Sequence, residues 1–309
     1  MKVVLPERAR KHLDGRLEGP EVAWYDDQDS CVAAIAGAEV LWLDFRLTGI
    51  EQIIRAGTAL RWVTTLAAGV ESLPHRLLED RGLTVTNGAG LGAIPISEYV
   101  VMGLLAGLKG FPELVRSQDK REWVTPPSFK EMHGKRALIV GYGNIGRAIG
   151  ERLRPFGVKV TGVRRHPDGE PDVIGAEGWE KHLPETDLLI LAVPLTGATR
   201  ALVGEKELAA LPEGAWVANI ARGRLIDEPA LIAALKKGSL GGAYLDVMST
   251  EPLPHDSELW SLPNVILTPH SSWASSHFLK RGAQLFLDNL KCYEQGQPLR
   301  NVVDLKAGY

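Results

Sequence analysis

Short β-branched and apolar runs alternate along this chain with longer amphipathic stretches, the pattern of a parallel sheet covered by helices. In the first third the apolar runs fall at 22–25, 40–43, 62–65 and 84–87. Helical spacing occupies 30–36 and 73–80 between them, and a long apolar helix is predicted after Pro95, through Ser97, Glu98 and Tyr99, to about Lys109. A polar, proline-containing segment at 116–135 reads as a surface traverse between domains. The stretch 136–162 then reads strand, glycine turn, helix, strand. Further strands are predicted at 188–193, 215–219, 242–246 and 265–268, and a closing helix at about 275–295.

The 309 residues suggest two domains, since one domain averages about 100–200 residues. A net charge of −3 provides no basic field for nucleic acid. The longest apolar stretches, 188–195 and 99–108, fall far short of the ~20 residues a membrane span needs. The N-terminal Lys2-Val3-Val4-Leu5-Pro6 turns charged at Glu7, Arg8 and Arg10, which leaves no secretory apolar region. Only Cys31 and Cys292 are present, with no C-x-x-C, so a reducing compartment, the cytoplasm, is expected. The expected partner is a small molecule, without nucleic acid or membrane.

The most informative motif is Gly141-Tyr142-Gly143-Asn144-Ile145-Gly146, between the apolar run 137–140 and a helical stretch 147–156. In a dinucleotide site the first glycine makes the tight turn and the second lets backbone approach the pyrophosphate. The third lets helix and strand pack closely, and the phosphates rest on the helix N-terminus. A bare G-x-G-x-x-G is weak in a chain with 33 glycines, but its place inside a βαβ unit is the confirming context. A purely structural turn is the competing reading.

An acid that binds the ribose 2′-hydroxyl is expected at the end of the second strand if the cofactor is NAD. That strand ends instead in Arg164-Arg165. Guanidinium groups pair bidentately with a 2′-phosphate, which a carboxylate would repel. NADP(H) is therefore the preferred cofactor, with NAD(H) as the other candidate; a solvated pair of surface arginines is the bland alternative.

Hydride transfer to a carbonyl needs an acid for the oxygen and a cation to hold the substrate. Several designs are absent: no Tyr-x-x-x-Lys pair, no Cys/His zinc set, no G-x-S-x-G elbow, no H-E-x-x-H helix and no P-loop. No metal is expected. Polar residues instead cluster after predicted strands, at Asn219-Ile220-Ala221-Arg222-Gly223-Arg224, at Asp246 to Glu251-Pro252, and at Thr268-Pro269-His270. The carboxyl ends of strands line the ligand crevice in open α/β sheets.

With these motifs the sequence resembles the D-isomer-specific 2-hydroxyacid dehydrogenase family along essentially the whole chain. The family's Arg in N-x-A-R-G, Glu before Pro and His after Pro appear as Arg222, Glu251 and His270. The resemblance implies an α/β fold of two Rossmann/flavodoxin-like parallel-sheet domains. The nucleotide domain (97–290) is inserted into a discontinuous substrate domain (1–96 and 291–309), joined by two crossing helices. It also implies a homodimer paired through the nucleotide domain. The expected activity is reduction of a small 2-keto acid to the D-2-hydroxy acid, with Arg222 gripping the keto acid and His270 as general acid. Glu251, if beside His270, favours imidazolium. Leu66-Ala67-Ala68-Gly69-Val70 resembles the substrate loop whose backbone N–H groups receive the carboxylate. Val193, Pro194, Thr199, Ala221 and Asp246 fall where the family lines the cofactor.

Two positions depart from the family pattern. Arg164-Arg165 replaces the usual acid, and Ser271-Ser272-Trp273 follows His270 where many members have small residues. A Trp273 in the pocket favours short substrates such as glyoxylate or hydroxypyruvate. The chain also reads as too short for a regulatory domain after the closing helix. Rival readings are a formate or phosphonate dehydrogenase on the same scaffold, and a dinucleotide-sensing binding protein without catalysis. Glu251 beside His270 argues against the formate type, and the complete set of three against the sensor.

Overall fold

The computed structural model describes residues 1–306 apart from 126–128 and 168. Parts of the expected traverse (116–135) and of the expected C-terminal piece (291–309) thus lie outside the described residues. The chain divides into two compact units, 1–92 with 275–309, and 93–274.

The first unit holds a parallel sheet of β1 (Lys2–Pro6), β2 (Glu21–Tyr25), β3 (Val40–Leu43), β4 (Trp62–Thr65) and β5 (Thr84–Thr86), in the order β2-β1-β3-β4-β5. Four short helices connect them: α1 (Arg10–Leu13), α2 (Gln28–Ala34), α3 (Ile50–Ala56) and α4 (His75–Asp80). All four residues of β3 and of β4 are buried, the continuous apolar run of a strand covered on both faces. The strand β1 was not among the predicted elements, although it lies inside the sheet between β2 and β3.

The closing helix (Phe278–Glu294) belongs to this unit. This corrects the boundary at 290, which had placed most of the helix in the nucleotide domain. The cause is aromatic packing: the Phe286 ring lies 5.3 Å from that of Trp42 and is stacked on that of Trp62 at 5.5 Å, all three fully buried. The first unit is therefore discontinuous, with its second piece beginning at Ser275.

The second unit opens with α5 (Ala93–Leu108) and α6 (Phe111–Lys120). The helix α6 occupies the start of the segment read as a polar traverse. Then follow β6 (Arg136–Val140), α7 (Asn144–Leu153), β7 (Lys159–Arg164), β8 (Val173–Gly175), β9 (Leu188–Leu191), α8 (Glu205–Ala210), β10 (Ala215–Asn219), α9 (Glu228–Lys237), β11 (Leu240–Leu245) and β12 (Val265–Leu267). The sheet order is β12-β11-β10-β9-β6-β7-β8, all parallel. Every residue of β9 is fully buried. The order reverses between β6 and β9, so the glycine turn after β6 lies at the topological switch point, where such sheets bind ligands.

Candidate active site

In the glycine turn, packing requires two of the three glycines and leaves open space at the other. Gly141 has φ +102°, and its Cβ would stand 2.4 Å from the carbonyl carbon of Ala192, so only glycine fits. At Gly146 a Cβ would meet the Gly141 carbonyl oxygen at 2.1 Å, which sets how closely α7 packs on the turn. At Gly143 a Cβ would meet nothing within 4 Å. Protein packing does not demand that glycine; a ligand's close approach would. Gly143 and Asn144 are exposed at the start of the ten-residue α7, and Ile145 is half-buried. Tyr142, expected to line the cofactor, is buried with its ring over Gly150 and Gly162. Its side chain is core, and only its backbone belongs to the turn.

The end of β7 holds a feature that sequence reasoning missed. Arg164 donates to Glu170 Oε1 at 3.1 Å, and Arg147, in the first turn of α7, grips both Glu170 oxygens through its two terminal nitrogens. Arg147 also lies over the Tyr142 ring, 5.4 Å from its centroid. The Arg147 hydrogen bonds, more than any other influence, hold the Glu170 carboxyl below the usual carboxylate range. Arg165 is exposed. Arg147 directly follows the third glycine and was findable on that ground; no spacing rule pointed to Glu170.

Three loops carry the candidate chemistry. After β10, buried Asn219 clamps its own loop, accepting from the Ala221 amide at 3.1 Å and donating to the Arg222 carbonyl at 2.9 Å. Arg222 is half-buried, and its Nη1 donates to the Ala221 carbonyl at 2.7 Å. After β11, Glu251 Oε1 accepts from the Met248 amide at 3.0 Å, and Oε2 contacts His270 Nδ1 at 2.7 Å. The Arg222 loop presses against the Glu251 loop, because Gly223 has no side chain to hold it off the Met248–Ser249 backbone. Arg224 Nε also donates to the Ser249 carbonyl at 3.3 Å. The structure thus brings Glu251 and His270 into direct contact and puts the Arg222 loop beside them.

His270 has φ +49°, an uncommon region for a side-chain-bearing residue that costs on the order of 1–3 kcal/mol. The surroundings hold it there: its amide donates to the Asp246 carbonyl at 2.8 Å and to the Thr268 carbonyl at 3.0 Å. Asp246, expected to line the cofactor, is fully buried. Its carboxylate accepts from Thr268 Oγ1 at 2.5 Å, the Ser271 amide at 3.0 Å, and the Ser272 amide and hydroxyl. It is engaged in fixing the His270 loop rather than facing solvent. Trp273 Nε1 donates to the His270 carbonyl at 3.0 Å, so the indole is anchored next to the histidine.

On the remaining positions, Val193 is half-buried and Pro194 exposed after β9. Thr199 ties that loop, donating to the Pro194 carbonyl at 2.7 Å and accepting from the Thr196 amide at 2.7 Å. Ala221 is half-buried. Ala67, Ala68 and Gly69 follow β4 in the first unit. The Ala67 carbonyl accepts from Gly88 at 3.0 Å and the Ala68 carbonyl from Asn87 at 2.8 Å, turning both carbonyls into the fold. Among the described residues no group of three or more His, Cys, Asp or Glu could hold a metal, and no single helix is long and apolar enough to cross a membrane.

A family model described as the NAD-binding domain of D-isomer specific 2-hydroxyacid dehydrogenases matches residues 101–272. The chain is 35% identical over 259 residues to a glyoxylate reductase of Pyrococcus furiosus, covering 80% of this chain and 76% of that one. It is 30% identical over 298 residues to a glycerate dehydrogenase of Methylorubrum extorquens, covering 92% and 90%. Among solved structures it resembles an NADPH-dependent glyoxylate/hydroxypyruvate reductase of Sinorhizobium meliloti in complex with NADP and sulfate. The TM-score is 0.85 at 27% identity, over 100% of this chain and 99% of that one.

Proposed function

The chain belongs to the D-isomer specific 2-hydroxyacid dehydrogenase family and is an NAD(P)-dependent oxidoreductase, and from that premise we propose that it reduces a small 2-keto acid of the glyoxylate or hydroxypyruvate type. The product is the D-2-hydroxy acid, and NADPH is preferred over NADH. The observation that carries this reading is the 2.7 Å contact between His270 Nδ1 and Glu251, on a loop fastened by buried Asp246 and adjacent to the Arg222 loop. Relatives named for glyoxylate and hydroxypyruvate reduction support the substrate class.

The cofactor fits the second unit. Gly143 leaves open space where a pyrophosphate would approach, Asn144 and Ile145 begin α7 behind it, and Arg147, Arg164 and Arg165 would supply cations to a 2′-phosphate. When bound, the reduced nicotinamide supplies a hydride to the substrate carbonyl carbon. The chain's residues do the rest. The Arg222 fork holds the keto acid and polarises its carbonyl. Glu251 accepts the Nδ1–H of His270, which orients the ring and leaves Nε2 to face the substrate. His270 then gives its Nε2 proton to the carbonyl oxygen as the new C–H bond forms, so the C=O becomes CH–OH; in oxidation it takes that proton back. Trp273, anchored to the His270 carbonyl, narrows the pocket toward short substrates.

We place the enzyme in the cytoplasm as a homodimer paired through the nucleotide unit. Met102, Phe111, Val115 and the wholly exposed Trp123 support the pairing alone: they leave apolar surface uncovered on α5, α6 and the segment after them, a feature of association faces. A panel of 2-keto acids assayed with NADPH and with NADH tests the reading. Turnover of glyoxylate and hydroxypyruvate at a lower KM for NADPH than for NADH is expected. No turnover of any 2-keto acid with either cofactor overturns it.

A further inference from the structure

We propose that Glu170 weakens the preference of this enzyme for NADP(H), by occupying with its carboxylate the seat that a 2′-phosphate must take. The inference rests on the NADP(H) reading above and adds a residue that opposes it.

The seat is built from two elements that meet at the switch point of the sheet. Arg164 closes β7, the strand whose end faces the adenosine ribose in this fold. Arg147 stands in the first turn of α7, directly after the glycine turn. Both guanidinium groups converge on one carboxylate: Arg164 reaches Glu170 Oε1 at 3.1 Å, and Arg147 takes both oxygens in a fork. A fork on two oxygens is also the geometry with which arginine holds a phosphate. The carboxylate comes from the connection between β7 and β8, where the Glu170 amide donates to the Pro167 carbonyl at 3.1 Å. Glu170 is part-exposed, with side-chain exposure of 30%, so it can leave the seat without opening a core.

Charge decides what the seat accepts. With Glu170 in place a dianionic phosphate would meet a like charge at hydrogen-bond range of the same guanidinium groups. With Glu170 displaced that repulsion is removed, and both guanidinium groups can turn to the phosphate. A ribose 2′-hydroxyl differs: it is neutral and can donate to the carboxylate where it stands. Glu170 therefore favours NADH and taxes NADPH, and the preference for NADPH is what remains after that opposition.

The test is binding rather than turnover, so it stands apart from the question of substrate. Adenosine 2′,5′-bisphosphate and adenosine 5′-monophosphate are titrated calorimetrically into the unaltered 309-residue chain, the Glu170→Gln and Glu170→Ala variants, and Arg164→Gln. Removing the carboxylate charge should tighten adenosine 2′,5′-bisphosphate about 3–10-fold, the range for like charges at a partly screened site. Adenosine 5′-monophosphate should be unchanged or bind more weakly. The gain should shrink as salt is raised. If both Glu170 variants, shown folded by their melting curves, leave the ratio of the two affinities unchanged or weaken the bisphosphate, Glu170 does not compete for the seat and the inference fails. If instead the wild type binds the two ligands equally and Arg164→Gln changes neither, the NADP(H) reading itself fails.

Discussion

Replacing Gly223 by alanine probes the junction that holds the proposed chemistry together. A Cβ at this position would stand 1.9 Å from the carbonyl carbon of Met248 and 2.0 Å from its oxygen. Both are backbone atoms, so no side chain can swing aside. Ordinary contact begins near 3.4 Å, so the Arg222 loop and the Met248–Glu251 loop must part by about 1.5 Å (3.4 − 1.9). Misplacement of a catalytic group by about 1 Å costs on the order of 10²-fold in rate. Overpacking at a buried contact costs about 1–3 kcal/mol in stability. Gly223→Ala should therefore lower kcat for hydroxypyruvate about a hundredfold and depress the melting temperature by a few degrees. NADPH affinity, read by quenching of tryptophan fluorescence, should be preserved, because the glycine turn is untouched. A variant with wild-type kcat and a normal melting curve would refute the reasoning, since it would mean that the spacing of these loops does not matter to the reaction.

Other substitutions test the separate parts. Gly143→Ala should leave the melting curve unchanged, because its Cβ meets no protein atom within 4 Å, yet weaken NADPH binding; an effect on folding alone would contradict the cradle. Arg222→Lys keeps the charge and removes the planar fork, so kcat/KM for the keto acid should fall at least about tenfold; an unchanged value would show that charge alone is enough. Phe286→Ala removes the ring between Trp42 and Trp62 and should destabilise the first unit by about 3–5 kcal/mol, measured by denaturant unfolding. Cys31 is wholly buried, and burial pushes its thiol up to about 12. Above the ordinary thiol range only the unfolded chain loses this proton, so stability should fall as pH climbs from there toward about 12. Cys31→Ala should flatten part of that alkaline loss.

Much of the architecture was legible in local pattern because parallel strands buried on both faces appear as short apolar runs. The strands around Trp62, Ala215 and Leu188 announce themselves in this way. The strand β1 did not, since Lys2–Pro6 is a brief terminal run whose burial depends on neighbours far along the chain. The closing helix is amphipathic in either unit; what assigns it is the meeting of Phe286 with two tryptophans more than two hundred residues earlier, which no periodicity encodes. The candidate chemistry was sought where motif and strand end coincide, at Arg222, Glu251 and His270, and of these the structure brings Glu251 and His270 into contact. It was obscure where a side chain's partner decides its role. Asp246 reads as a cofactor-lining acid, and only the structure shows that it is buried and accepts from Thr268, Ser271 and Ser272. Tyr142 reads as part of the phosphate turn until its ring is found over Gly162. Glu170 carries no signal at all, because its meaning comes only from the two arginines that converge on it.

His270→Ala bears most directly on the central claim, that an imidazole steadied by Glu251 protonates the substrate oxygen. Its kcat for hydroxypyruvate with saturating NADPH should be measured beside the affinity for NADPH. The account predicts a fall in kcat of about 10²–10⁴-fold with cofactor affinity retained. Wild-type kcat in the variant, or a loss of cofactor binding that accounts for the whole fall in rate, would contradict it.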